Sequence, residues 1–302
     1  MRFILTADWH LRSSRPRCRL DADWMETQER ALYQISDLAK KQDCPIIVVG
    51  DVFDTAAADV SFTLINMVQR WAAELPYPLY LLAGNHDLQY HDVANLAKSG
   101  IGILRESTNI LPATELQNYY CEDGVRAFDF GLEHLEGNRI EKARIIFLHT
   151  LCFPDMKSIP PNVKATTALE LLKKWPKSRY IFTGDYHKSF VAKKNGRYVI
   201  NPGCLLRQAA DEKDYQPSVF FVDTDTGTIN IHPIEDDEEL VTDEYLREAK
   251  QRESRIDAFV ELLKTKGSMT MDFIKNVEAR LAENPDLDDG TVACIRELVY
   301  GE

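Results

Sequence analysis

Short, continuously apolar runs that each end on a polar residue constrain this chain more than any other feature. "RFILTA" (2–7), "PIIVVG" (45–50), "YPLYLLAG" (77–84), "ARIIFLH" (143–149), "RYIFTG" (179–184) and "RYVIN" (197–201) lack the alternation of a strand with one wet face. They are expected as strands buried on both sides. Between the early runs, Met25, Leu32, Ile35 and Leu38 recur with helical spacing over 24–41, as do Ile65, Val68 and Trp71 over 60–74. Strand, helix, strand in that order implies an α/β domain whose functional groups sit just beyond the carboxyl ends of its strands. Asp8, Asp51, Asn85, His149 and Asp185 all fall there.

With 302 residues, 44% of them hydrophobic and 28% charged, the chain can bury a large core. No apolar run approaches the roughly 18 residues that span a bilayer, and Arg2 before a strand-like run does not read as a signal peptide, so no membrane association and a cytoplasmic location are expected. Cys18, Cys44, Cys121, Cys152, Cys204 and Cys294 show no Cys-x-x-Cys spacing and are read as free structural thiols. A net charge of −12 argues against a surface that coats nucleic acid nonspecifically, but leaves room for a local basic patch.

"PSVFFVDTDTGTINIHPI" (217–234) reads as a hairpin that closes the core domain, 1–234. The charge run "EDDEE" marks 235–240 as a solvated acidic linker. Residues 241–302 carry only helical signals, the first helix ending on Gly267 and presenting Tyr245, Leu246, Ala249, Ile256, Phe259, Val260 and Leu263.

Five polar clusters follow one another at the strand ends: "ADWH" (Asp8, His10), "GDVFD" (Asp51, Asp54), "AGNHD" (Asn85, His86, Asp87), "LHT" (His149) and "GDYHK" (Asp185, His187). Singly, each is commonly a turn or a buried histidine; together they suit two divalent ions bridged by one carboxylate, with Asp51 the natural bridge.

The ordered series resembles the calcineurin-like metallophosphoesterases. "GDVFD", in place of a phosphatase-type Gly-Asp-x-Val-Asp-Arg-Gly, resembles the SbcD-type nuclease branch, and "PRCRLDADW" with "GDYHKSF" resembles its compact phage-encoded members. The resemblance covers residues 2 to about 234 and implies two facing mixed β-sheets flanked by helices. It implies one metal on Asp8, His10, Asp51 and His187, and the other on Asp51, Asn85, His149 and residue 185. It also implies that His86 contacts the scissile phosphate or leaving oxygen, oriented by Asp54. Asp185 replaces the first histidine of the usual Gly-His-x-His, which makes the site harder and one unit less positive, and tilts the expected pair of metals toward Mn²⁺, then Mg²⁺.

The basic loop behind Asp8 and His10 then borders the substrate, where Arg12, Arg15, Arg17 and Arg19, with Lys188 and Arg207, are expected to hold flanking phosphates or to be solvated surface charge. His91, His134 and His232 match no family position and are read as structural. The expected function is a two-metal phosphodiesterase acting on nucleic acid: an SbcD-like DNA nuclease, exonuclease or endonuclease, in repair or recombination. The alternatives are a phosphomonoesterase or cyclic-nucleotide phosphodiesterase on the same scaffold, and a weakly active DNA-end-binding or ATPase-regulating subunit. The resemblance further implies DNA and an SMC-like ATPase docked through 241–302 as partners, the alternative for those helices being to fold back onto their own core; a homodimer is a further expectation.

Overall fold

The computed structural model describes residues 1–55, 60–119, 124–132, 142–266 and 273–300. It divides into two compact units, Met1–Asp243 and Glu244–Glu302. Cys121, His134 and Gly267 lie outside the described residues.

In the first unit, β1 (Arg2–Thr6) leads into α1 (Trp24–Gln42), β2 (Ile46–Val49), α2 (Phe62–Ala73) and β3 (Leu79–Leu82). Then come α3 (Gly100–Arg105), β4 (Ile110–Pro112), α4 (Leu116–Tyr119), β5 (Val125–Phe128), β6 (Ile145–His149), β7 (Cys152–Phe153) and β8 (Thr166–Thr167). The unit continues through α5 (Ala168–Lys174), β9 (Tyr180–Gly184), β10 (Phe190–Lys194), β11 (Arg197–Asn201), β12 (Ser218–Asp223) and β13 (Thr228–Pro233).

Two mixed sheets result, one ordered β13-β12-β1-β2-β3-β4 and the other β10-β11-β9-β6-β5. β1 to β4 run parallel, as do β5, β6, β9 and β11; β12 and β10 are antiparallel to β1 and β11. Side chains alternate across a strand, so the apolar runs supply two faces at once. Phe3, Leu5, Ile47, Val49, Phe147, Phe182 and Phe220 form the core between the sheets. Ile4, Ile46 and Val48 point outward, into a second core with α1 and α2. Ile146, Leu148, Ile181 and Val199 do the same against α5. This is the α/β architecture of two facing mixed sheets flanked by helices.

Helix starts follow local chemistry. Asp23 caps α1 by accepting from Glu26 N, Ser61 caps α2 by accepting from Leu64 N, and Thr167 and Glu170 form a capping box on α5. Five strands, β4, β5, β7, β8 and β10, escape a reading based on apolar runs. β4 and β5 are short, and β10 ("FVAKK") is a half-exposed edge strand paired only with β11.

In the acidic run after β13, Glu235, Asp237, Glu238 and Glu239 are exposed, as a solvated linker requires, but Asp236 is not. The side chain of Asp236 is 0% exposed; it lies 2.8 Å from Arg19 Nη1 and 3.2 Å from Arg207 Nη1. Val241 is buried and bridges to Arg19, so the first unit extends to Asp243. Two buried guanidiniums require a carboxylate, and this one is supplied from within "EDDEE".

The second unit contains α6 (Glu244–Lys266), α7 (Phe273–Ala282) and α8 (Asp289–Tyr300), with Arg296 paired to Glu278 at 2.9 Å. Within α6, Tyr245, Ile256 and Phe259 are half-buried and Leu246 is exposed; the side chains of Ala249, Val260 and Leu263 lie outside the described residues. A chain ended after Ile234 should be less stable than one ended after Asp243 by about 3–5 kcal/mol, because it strips Arg207 of its buried counter-ion and Arg19 of one of its two. Urea unfolding midpoints of the two truncations check this, and equal midpoints would count against it.

Candidate metal centre

All the expected metal ligands stand at the carboxyl ends of strands of both sheets. Asp8 and His10 follow β1, Asp51 follows β2, Asn85 follows β3, His149 ends β6, and Asp185 and His187 follow β9. The parallel register sets His149 beside Gly184. Asp8, His10, Asp51 and Asp185 all adopt left-handed backbone, with φ of 49°, 45°, 53° and 77°. Such conformations cost about 1–3 kcal/mol each and turn the side chains sharply off the strand ends. Glycine makes room between them. A Cβ on Gly50 or Gly184 would overlap the His149 ring, and one on Gly84 would overlap the Asp51 carboxylate.

Main-chain bonds lock these turns together. Asp8 N donates to Gly50 O at 3.1 Å, His10 N to Asp51 O at 3.0 Å, and Leu205 N to Asp8 O at 3.2 Å. His86 N donates to Asp51 Oδ1 at 2.9 Å, and Asp185 N to both Asp8 oxygens at 2.9 and 3.1 Å.

Whether divalent cations fit depends on where the lone pairs point. His149 Nδ1 donates to the Val49 carbonyl at 2.8 Å, so Nε2 faces Asn85 Oδ1 at 2.9 Å and Asp51 Oδ2 at 3.2 Å. His187 Nδ1 donates to Glu212 Oε1 at 2.7 Å, so Nε2 faces His10 Nε2 at 3.1 Å. Asp51 Oδ2 is buried with no hydrogen-bond donor. Acceptors aimed at acceptors call for a cation between them, and nitrogen with carboxylate oxygen suits a divalent metal. Among the described residues, Asp8, His10 and His187 form one group of convergent ligand atoms, and Asp8, Asp51 and His149 another. The residues fit two ions.

The electrostatics agree. Burial pushes the Asp8 carboxyl up to about 6 and the His10 imidazole down to about 3. Burial also opposes charge on Asp51, but His149 and His10 hold its carboxyl well below the usual range. His149 and His187 are raised against the effect of burial, His149 chiefly by Asp51 and His187, to about 9, chiefly by Glu212. The cluster therefore draws positive charge to itself.

The structure separates the remaining expected residues. His86 is exposed, its ring 4.8 Å from that of His10. Its Nδ1 donates to the Asp54 main-chain carbonyl at 2.8 Å, which leaves Nε2 free. The Asp54 carboxylate, expected to orient His86, instead pairs with Arg12 at 2.9 Å and stands 3.8 Å from His10 Nδ1. Asp185 approaches the cluster through its amide, and its carboxylate belongs to none of the convergent groups among the described residues.

Arg15, Arg17 and Lys188 are exposed, but Arg19 and Arg207 are buried. Arg19 makes a bidentate pair with Asp21 at 2.7 and 2.8 Å and lies over Trp24, so it braces the loop from inside, not from the substrate rim. Of the other histidines, His91 is exposed and its Nδ1 meets the Asn85 carbonyl at 2.9 Å, whereas His232 lies away on β13.

The family model for calcineurin-like phosphoesterases matches residues 1–201. The chain belongs to that family. Members use divalent metals, in keeping with the donor set above. No curated protein matches this phosphoesterase closely enough to count as a relative. Among solved structures it is similar to an archaeal phosphodiesterase (14% identity, 77% of this chain and 99% of that one, TM-score 0.39). It is also similar to a Staphylococcus aureus protein assigned as a 5′-nucleotidase (14%, 83% and 57%, 0.47). A third is the zinc-bound Vps29 of Entamoeba histolytica (10%, 78% and 98%, 0.31). These likenesses are too distant to carry an argument about substrate.

Sequence reasoning missed the residues that hold the ligands of this phosphoesterase. Glu212 is buried; its Oε1 accepts from His187 and its Oε2 from Gln208 N and Ala209 N at 2.7 and 3.0 Å. Gln208 Nε2 in turn donates to the Trp9 and His10 carbonyls at 3.0 and 3.1 Å. Asp87 accepts from Val52, Phe53 and Gly84 amides. The only hint of Glu212 was its closeness to "NPGCLLRQ". Replacing Glu212 by Ala should weaken metal binding about 10–100-fold by freeing the His187 ring, with Glu212→Gln losing less. Calorimetric titration with Mn²⁺ checks this; wild-type affinity in Glu212→Ala would remove the assigned role.

Proposed function

We propose that this phosphoesterase is an SbcD-like nuclease, a two-metal phosphodiesterase that hydrolyses nucleic acid, with Mn²⁺ as the preferred metal and Mg²⁺ as the second choice. One observation carries the choice of a diester over a monoester. The arginine nearest the ligands is already spent, Arg12 on Asp54, and Arg19 and Arg207 are buried against Asp21 and Asp236. A dianionic terminal phosphate gains from fixed cations close in; here Arg15, Arg17 and Lys188 are the expected phosphate contacts that remain exposed, which supports contact with the phosphates flanking a scissile monoanion.

When bound, the metals polarise the phosphate and raise the acidity of the attacking water. The chain's own groups do the rest. Asp8, His10, Asp51, Asn85, His149 and His187 fix the geometry. His86, its ring held by Nδ1–H donation to the Asp54 carbonyl, presents Nε2 to the leaving oxygen, where the imidazolium form supplies a proton or a hydrogen bond. Arg12, clamped at both main-chain groups by the buried Gln28 amide (2.8 and 3.0 Å), keeps Asp54 beside the site.

No described helix is long and apolar enough to cross a membrane. Cys18, Cys44, Cys152, Cys204 and Cys294 are free, and a reducing compartment, the cytoplasm, suits them. DNA repair or recombination is the proposed setting, with α6 to α8 offering exposed Leu246, Ile274 and Leu298 to an SMC-like ATPase.

With Mn²⁺ added, hydrolysis of bis-p-nitrophenyl phosphate should exceed that of p-nitrophenyl phosphate, and exhaustive chelation should abolish both. Faster turnover of the monoester would overturn the diesterase reading. His86→Ala should keep its metals while losing about 10²–10⁴ in kcat, as the loss of one acid–base group does. Steady-state kinetics beside metal analysis of the same sample checks it; a metal-free variant would show that His86 is a ligand.

A further inference from the structure

We infer that the Asp54 carboxylate is the acceptor that orients His10, and that Arg12 holds it in that role. Asp54 is then a positioning residue for the metal on His10, and its carboxylate does not act through His86. The inference rests on the two-metal reading above and adds which group steadies this ligand.

His10 presents its two ring nitrogens to different neighbours. Nε2 faces the cluster, 3.1 Å from His187 Nε2 and 3.6 Å from Asp51 Oδ2. Nδ1 lies on the other side of the ring, buried and without a hydrogen-bond partner. When one nitrogen of a neutral imidazole takes a cation the other carries the proton, and a buried N–H calls for an acceptor. His149 and His187 already have theirs, the Val49 carbonyl and Glu212. For His10 the carboxylate at hand is that of Asp54, whose Oδ1 stands 3.8 Å from Nδ1. A side-chain shift of about 1 Å brings that pair to ordinary hydrogen-bond length.

The surroundings of Asp54 hold it for this task. His86 is served by the main chain of Asp54, its Nδ1 donating to the carbonyl at 2.8 Å, so the carboxylate is left for other work. Asp54 N donates to Leu11 O at 3.2 Å and Leu11 N to Val52 O at 2.9 Å, which joins residue 54 to the neighbour of His10. Arg12 Nη1 meets Asp54 Oδ2 at 2.9 Å, whereas Oδ1 is the oxygen nearer His10. The guanidinium thus takes one oxygen and leaves the other to the ring. Arg12 is in turn fixed at its amide and carbonyl by the Gln28 side chain. Ligand and clamp sit two positions apart on the β1 loop, so whatever places His10 also places the arginine that aims its acceptor.

The test uses the full-length protein with Mn²⁺ alone as the probe. In calorimetric titration Asp54→Ala should bind Mn²⁺ about 10–100-fold more weakly than the wild type, and Asp54→Asn, which keeps an acceptor oxygen, should recover part of the loss. Arg12→Ala should weaken binding in the same direction by less. Hydrolysis of bis-p-nitrophenyl phosphate that Asp54→Ala loses at limiting Mn²⁺ should return as Mn²⁺ is raised. Melting temperatures in excess chelator separate a lost positioning contact from a lost fold; if Asp54→Ala melts early there, Asp54→Asn and Arg12→Ala carry the comparison. Wild-type Mn²⁺ affinity in all three variants overturns the assignment. A rate that stays low at saturating Mn²⁺ also overturns it, and returns the carboxylate to His86. Wild-type protein that takes up no Mn²⁺ in the same titration overturns the two-metal reading itself.

Discussion

Asp8 and Asp51 are buried side by side at the ends of adjacent parallel strands, and most of what is unusual in this fold answers to that fact. Carboxylates removed from water need compensating positive charge. Two of the surrounding histidines are held so that a ring nitrogen faces inward while the other is committed: His149 to the Val49 carbonyl and His187 to Glu212. The left-handed turns at positions 8, 10, 51 and 185 and the missing side chains at Gly50, Gly84 and Gly184 are what such convergence requires of the backbone. Metal binding and local strain are thus two aspects of one arrangement.

Arginine plays two opposite parts around this centre. Arg19 and Arg207 are buried in ion pairs that tie the β1 loop and the segment before β12 to Asp236, three residues after the last sheet strand. Arg15 and Arg17, only a few positions from Arg19, remain exposed. Sequence proximity made them look like one basic loop. Burial splits them into an inner brace and exposed charges, with Asp21 and Asp236 deciding which guanidinium goes inside.

The fold was legible because apolar runs without alternation specify strands buried on both faces, and the convergent polar cluster because its members follow such runs. Both signals are local. The supports of the site are not: Glu212 reaches His187 across 25 positions, Gln208 reaches His10 across 198, and the Val49 carbonyl orients a ring 100 residues away. No spacing rule encodes those pairings. The role given to Asp54 illustrates the limit, since the residue stands beside His86 but orients it through its carbonyl, which any residue at that position would carry. The acidic run misled for the same reason, because a charge cluster shows nothing of the buried partner it serves.

β1 pairs in parallel with β2 on one side and in antiparallel fashion with β12 on the other, Phe3 meeting Val222 and Leu5 meeting Phe220. The ligands on its loop meet His149 and His187 of the opposite sheet, and the Glu212 that steadies His187 sits just before β12. During synthesis the first-made ligands must therefore wait for nearly the whole first unit to leave the ribosome. Pairings so distant along the chain form late in folding. A nascent or prematurely ended chain holds Asp8 and Asp51 without the groups that complete the centre, so the cluster is whole only once the first unit is nearly complete.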